Sequence, residues 1–380
     1  MQSFHRSLLP FVWFARSLEF MISEDWLKGT DPDEMLEFVL DRFNPRRWRL
    51  LAAAFVRRRW DVVPEGDMRE AVDFIERNAA TLPAKVAREW LKRIDAAIPA
   101  AIEQARNTMA DVVRPADPTS ADQSGPILDS PDEIAPAFPL FAAASRHAAL
   151  AIEASFLHIE LAADAVRALF AEPGRETVLR TTSRIEEAVA DRAEANRYAN
   201  NALRMKQQGD ELADYATTVK NQRVEESKAI EMVRRLEESQ GNRANDIDPD
   251  EDPTQRAMKK VLPRFLHELV GNPIVGYRFE PSWYTPSVVD IARTIYDERS
   301  FDKMPILADA LLDADCDEEA ILRHLRGRET HTKDKPVHMR GCWVLDRILF
   351  PTDLLFGDAP VEDAPPPLAK KPRAPRKKPK

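Results

Sequence analysis

The chain has 380 residues, of which 44% are hydrophobic and 31% charged, and its formal net charge is −9. That balance excludes collagen-like and low-complexity chains, and the acidic total argues against nucleic-acid affinity spread over the whole molecule. Two cysteines cannot build a disulfide framework, so a reducing, cytoplasmic setting is the expectation. Glycine is rare, at 11 residues, while Ala, Leu, Arg and Glu are abundant, which favours helices over sheets. The expected fold is mainly α: a multi-helix bundle with a long helical or coiled-coil-like arm inserted in the middle and at most one short strand pair.

Residues 1–20 carry the apolar run Ser7-Leu8-Leu9-Pro10-Phe11-Val12-Trp13-Phe14-Ala15. Arg16 and Glu19 interrupt it, no small-x-small cleavage site follows, and it falls short of the ~20 residues that span a bilayer. These residues read as an extension or a miscalled start ahead of Met21, and no membrane association is expected.

Residues 21–112 read as an N-terminal helical module. Asp31-Pro32 caps a helix whose apolar side holds Met35, Leu36, Phe38 and Val39. Asn44-Pro45 ends it and opens the basic amphipathic segment 46–60, with Trp48 and Trp60 near its ends. Such a segment suits an anionic surface, or a core helix whose arginines pair with acids such as Glu65, Asp67 and Glu70. The abundance of acids favours the second reading. Helices near 67–78 and 84–109 complete a bundle joined by short loops.

Pro115, Pro118, Pro126, Pro131, Pro136 and Pro139 mark 113–139 as a linker. Residues 140–240 read as the arm. An Ala-rich apolar helix carrying His147 and His158 runs to Phe170, Pro173-Gly174 breaks it, and 176–238 then holds a single glycine, Gly209. The sparse apolar residues of that second stretch (Val178, Ile185, Val189, Leu203, Leu212, Val219, Ile230, Val233 and Leu236) predict a hairpin or coiled-coil seam rather than a second core. The acidic segment 241–252 reads as a hinge. A calcium loop starting at Asp246 would put Glu251 where the turn glycine belongs and Ala257 where the bidentate glutamate belongs.

The C-terminal module, 253–356, has the clearest punctuation. Thr285-Pro286 opens a helix with Val288, Ile291, Ala292, Ile295 and Tyr296 on one face. Residues 296–299 close it. A second helix buries Ile306, Leu307, Ala310 and Leu311, and a third buries Ala320, Ile321 and Leu325. Gly327 is the natural left-handed residue beyond that third helix. A last apolar segment runs from Cys342 to Phe350, and 274–279 has strand character between Pro273 and Pro281.

These C-terminal residues resemble a bacterial protein family with no established activity. The matching positions are Gly271-Asn272-Pro273, Glu280-Pro281-Ser282-Trp283, 295–299, 305–311, Cys316, 324–327 and 338–346. A second signature stands near the start, as Trp26-Leu27, Thr30-Asp31-Pro32, Met35-Leu36-Glu37-Phe38 and Arg49-Leu50. The chain departs from the pattern at Phe55-Val56, where the family often carries two cysteines, and in a longer polar loop over 328–337. The resemblance covers about half of the chain and implies no activity.

No catalytic motif is complete. There is no G-x-G or G-x-S-x-G, Gly271…Gly276 lacks the lysine of a phosphate loop, and His267-Glu268 lacks a second histidine at metalloprotease spacing. His158-Ile159-Glu160 has no downstream Cys-x-x-Cys. Cys316, His324, His338 and Cys342 are the constellation to weigh, since two sulfurs and two imidazoles suit tetrahedral zinc. Their spacing matches no established zinc signature, and cysteine is commonly buried as a small hydrophobe. No metal and no cofactor is therefore the expectation.

Binding-surface candidates are Trp283, Asp297, Glu298, Arg299, His338 and Arg340, and an enzyme would have to draw its polar groups from the same set. The tail 357–380 carries Lys370, Lys371, Arg373, Arg376, Lys377, Lys378 and Lys380, a cluster suited to weak, non-specific polyanion binding. The functional expectation is a non-enzymatic helical scaffold that binds a protein partner. Nucleic-acid association through the basic tail is the alternative.

Overall fold

The computed structural model describes residues 26, 28–29, 31–40, 42–113, 138–219, 230–235, 252–274, 277–327 and 338–351. The N-terminal extension, nearly all of the proline-rich linker, the acidic segment up to 251 and the basic tail lie outside them. The described residues form α-helices and short 3-10 turns, with no strand among them, so the fold is mainly α. The strand character expected over 274–279 is thus not realised at its described positions. Asn272 Oδ1 accepts from the Ile274 amide at 3.1 Å, and the Asn272 amide donates to the Tyr277 hydroxyl at 2.7 Å. Side chains there satisfy backbone groups that a neighbouring strand would otherwise take.

The chain divides into two compact units, one of Met1–Ala54 with Met258–Lys380 and the other of Phe55–Ala257. The first contains α1 (Pro32–Leu40), most of α2 (Pro45–Arg58) and most of α7 (Pro253–Val270). It also contains α8 (Pro286–Glu298), α9 (Met304–Asp313), α10 (Glu319–Leu325) and α11 (Trp343–Leu349). Asp31 Oδ1 accepts from the amides of Asp33 and Glu34, and α1 buries Met35, Leu36, Phe38 and Val39, the face read from the sequence. Thr285 caps α8 through the Val288 amide at 3.3 Å, and Arg299 ends it in the left-handed region, at φ 56°.

The faces of the next two helices differ from expectation. Met304, Leu307, Ala308 and Leu311 are buried in α9, and Ile321, Leu322 and Leu325 in α10, whereas Ile306 and Ala320 are exposed. Because α9 begins at Met304, its core face runs 304, 307, 308, 311, and Ile306 falls a half-turn away. Gly327 takes φ 63°, as its place after α10 requires.

Buried polar contacts bind this unit across long stretches of sequence. Arg46 engages both carboxylate oxygens of Asp346, with the second bond at 2.7 Å, and also donates to the Tyr296 hydroxyl at 3.0 Å. Arg47 Nη1 donates to the Leu269 carbonyl at 2.7 Å, and the Trp26 indole to the Gly271 carbonyl at 2.7 Å. Both side chains reach carbonyls at or just past the end of α7, which the helix itself leaves unpaired.

The second unit contains α3 (Asp67–Arg77), α4 (Ala84–Val113), α5 (Phe138–Ala168) and α6 (Arg175–Val219). Helices α5 and α6 form a hairpin broken at 169–174, and α4 lies along α5. Their seam is rich in small residues: Ala148 packs on Ala202, Gly209 sits against the Phe141 ring, and Ala143 and Ala144 cluster with Leu140 and Met205. Val178 and Ile185, expected in the seam, are buried, whereas Leu203 is exposed, and the other buried positions of α6 include Thr181, Thr182, Ala188, Ala195, Ala202 and Met205. Where small side chains dominate, two helices approach closely enough that a leucine at 203 is not needed to fill the gap.

The arginines at the end of α2 are paired, but not with the acids nearest in sequence. Arg57 meets Asp73 and Glu76, and Arg58 and Arg59 share Glu186, with Arg59 Nη2 at 2.7 Å from Oε2. Glu65 pairs with Arg69, while Asp67 and Glu70 pair with Arg93.

Candidate metal centre

Helix α7 keeps one acid, Glu268, on the side that buries Val261 and Phe265, and its carboxylate is 4% exposed. Helix α10 supplies His324 from its own buried face. His338 and Cys342 flank a tight turn at Gly341, whose φ of 98° is open to glycine at little cost. A Cβ on Gly341 would stand 2.6 Å from the Leu269 side chain and 3.0 Å from that of Leu50. The missing side chain brings this turn down onto α7 beside Glu268, with Cys342 held at the start of α11.

One ligand atom from each of Glu268, His324, His338 and Cys342 lies within 4.8 Å of every other. His324 Nε2 is 3.1 Å from Cys342 Sγ and 3.7 Å from Glu268 Oε2, and His338 Nδ1 is 3.0 Å from Glu268 Oε1. The imidazoles meet edge to face with centroids 5.1 Å apart, and the Trp343 ring lies 5.2 Å from His324. Cys342 is fully buried, and His324 is 2% exposed.

The electrostatics follow from that burial. Removal from water alone would raise the Glu268 carboxyl, but the charges of His324 and His338 and hydrogen bonds from His338 and Cys342 outweigh it, so Glu268 is held low. Burial pushes the Cys342 thiol well up, the Glu268 charge adds to this, and the amides of Leu345 and Val344 work weakly against both. The cysteine keeps its proton unless something with a larger positive charge displaces it.

A nucleophile–base pair is the other chemistry such a contact could offer, and the geometry disfavours it. A catalytic imidazole turns one nitrogen to the nucleophile and the other to an orienting acid. Here sulfur and carboxylate approach the same nitrogen of His324, and Cys342 is sealed from any substrate carbonyl. The arrangement instead converges four donors on one point.

Sequence reasoning named three of these residues and missed Glu268. It also included Cys316, which lies elsewhere in the core, 2% exposed, with its thiol raised mainly by burial. Of the surface candidates, Asp297 and Glu298 are exposed, Arg299 is half-buried and His338 belongs to the cluster. Trp283 and Arg340 are corrected to buried positions, at 2% and 3% exposure. Trp283 fills the core, and Arg340 donates to the carbonyls of Tyr296 and Asp297 at 2.9 and 2.8 Å, bracing the end of α8. The tail lysines and arginines from 370 to 380 lie outside the described residues.

Among the described residues, no helix is long and apolar enough to cross a membrane. The chain matches no protein-family model, no curated protein and no solved structure. The resemblance at its two ends therefore rests on the motifs themselves.

Proposed function

We propose that the protein is a non-enzymatic helical scaffold that binds another protein through the α5–α6 hairpin. The observation that carries this is a pair of exposed leucines on α5, Leu150 at 40% and Leu157 at 54% exposure. They are seven residues apart and so share a helix face, where a buried seam would otherwise be expected to claim them. Glu153 lies exposed between them, and the hairpin carries charged pairs elsewhere, such as Arg184–Glu187 and Arg167–Asp164. Exposed leucines set among charged side chains match the composition of a protein-binding face. Burial of the catalytic-looking constellation found among the described residues, Cys342 above all, supports a non-enzymatic reading.

The nucleic-acid alternative loses one of its supports. Arg46, Arg57, Arg58 and Arg59 of the basic helix are engaged by Asp346, Asp73, Glu76 and Glu186, leaving that alternative to the tail. A photo-crosslinker placed at Leu157 of the full chain, in its native host, tests the proposal. A discrete adduct is expected, lost on Leu150→Glu and absent when the crosslinker sits at exposed Asp290. No adduct, or the same adduct from both positions, would remove the hairpin as the binding face.

A further inference from the structure

We infer that Glu268, His324, His338 and Cys342 form a closed tetrahedral zinc site that ties α7, α10 and the start of α11 together. The residues come from separate segments, 56 residues apart from Glu268 to His324 and 18 from His324 to Cys342, and helical periodicity alone does not bring them to one place. Tetrahedral zinc bonds of ~2.0–2.3 Å put neighbouring ligands roughly 3.3–3.8 Å apart. The contacts of 3.1 Å from His324 Nε2 to Cys342 Sγ and 3.0 Å from His338 Nδ1 to Glu268 Oε1 are shorter than that by a few tenths of an ångström, and one ligand atom from each residue lies within 4.8 Å of every other, so small shifts bring the set to zinc-binding spacing.

A hydrogen-bonded network without metal is the competing account, and three features weigh against it. His324 Nε2 carries at most one proton, yet both Sγ and Oε2 close on that atom. Glu268 lies in the last turn of α7, where the helix dipole opposes a negative charge, and it is buried as well. Two imidazoles, a carboxylate and a thiol also make a donor set matched to a borderline-soft divalent ion. The all-oxygen shells of calcium and magnesium do not resemble it. With zinc bound, carboxylate and thiolate together cancel the charge of the ion. Formation of the Zn–S bond releases the Cys342 proton to water, and both imidazoles coordinate in their neutral form. Four protein ligands leave no open position for a substrate, so the ion is structural.

The site independently predicts a metal content. Full-length protein purified without chelator or metal-charged resin should hold about one zinc per chain by elemental analysis. Exchange for cobalt should give a thiolate-to-cobalt charge-transfer band in the near ultraviolet. Cys342→Ser should abolish that band, and Cys316→Ser should leave it. Glu268→Gln, which keeps the shape and the hydrogen-bonding capacity, should weaken zinc affinity at least about tenfold, the effect of even an outer-shell change. Affinity should rise about tenfold per pH unit over the range in which the thiol proton must be displaced.

A wild-type chain with under about a tenth of an equivalent of metal, and with no uptake of zinc or cobalt on titration, overturns the site. So does a charge-transfer band that survives Cys342→Ser. One equivalent of a different metal on the same residues would overturn the assignment to zinc. The wild-type content and cobalt spectrum need no variant, so a substitution that fails to fold does not shield the proposal.

Discussion

Around α8–α11 the core is filled by Trp283, Tyr296, Met304, Leu307, Leu345 and the ring of Trp343, whereas α5 and α6 meet mostly through small residues, Ala143, Ala144, Ala148, Ala202 and Gly209, with Leu140 and Met205 among them. Large side chains fill the spaces between short helices of 7 to 13 residues, each too short to be stable alone. Small side chains let helices of 31 and 45 residues lie close over many turns. The first arrangement is sensitive to removal of volume, the second to its addition. The difference also bears on where a buried polar cluster can be held: the rings of Trp343 and His338 pack against His324, and an alanine-rich seam offers no such cage.

Truncating Trp343 to alanine should break the first arrangement most severely. Its ring stacks on Tyr277 at 4.0 Å, meets Phe279 edge-on at 6.3 Å and touches His324. The expected loss is about 3–5 kcal/mol, a large share of a domain's stability, read as a fall in the urea midpoint at unchanged slope. A loss under about 1 kcal/mol would mean that the rings do not carry this core.

Such anchors show how far the sequence could be read. The apolar face of α1 was legible residue for residue, because an Asp-Pro cap fixes where the helical period begins. In α9 and α10 no such cap sets the phase, and the apolar spacing points Ile306 and Ala320 inward although both face out. Ion-pair partners were legible only in kind. Acids near in sequence were the natural choice for Arg58 and Arg59, yet the acid that takes both is Glu186, across the turns of the hairpin. Glu268 was missed because an acid on a helix ordinarily faces water. A signal was nonetheless available: Glu268 falls seven residues after Val261 and three after Phe265, on a buried face, in the turn where the dipole disfavours it.

Histidine sharpens the comparison through pH. His324 and His338 lie against an acid, whereas His158 on α5 is half-buried near Arg192 and has no acid partner at its unpaired Nδ1. Burial first, and then the Arg192 charge, lower His158 from 6.5 to about 4. Asp61, Glu65, Asp67 and Arg69 line the same cavity of about 650 Å³, and Asp61 answers Arg192 at 3.4 Å. The depressed value means that the unfolded chain takes up the proton first as pH falls. Stability from the neutral ring is complete above 6.5, drains away between 6.5 and about 4, and is constant below. The drop should be at most ~3 kcal/mol. Denaturation of wild type and His158→Gln across that window measures it as a difference, which cancels the carboxylates common to both. Parallel pH profiles would show that the imidazole does not titrate as its surroundings require.

The smallest effect, and the closest test of the small-residue seam, belongs to Gly209→Ala. The position is helical with ordinary backbone angles, so alanine by itself should favour α6 by about 1 kcal/mol. Its Cβ would, however, stand 2.7 Å from one carbon of the Phe141 ring and 3.0 and 3.1 Å from two others. These are contacts to ring carbons of a half-buried phenylalanine rather than to a flexible chain end, and overpacking of this kind costs about 1–3 kcal/mol. The two effects oppose each other, leaving a net destabilisation on the order of 1 kcal/mol if the seam is as close as described. Pairing the substitution with Phe141→Leu removes the ring and separates them. In the Phe141→Leu background the same Gly209→Ala change should become neutral or stabilising, a coupling of about 1–2 kcal/mol between two residues 68 positions apart. Equal effects in both backgrounds would mean that the helices do not meet at this point, and the contrast between a filled core and a close seam would lose its clearest support.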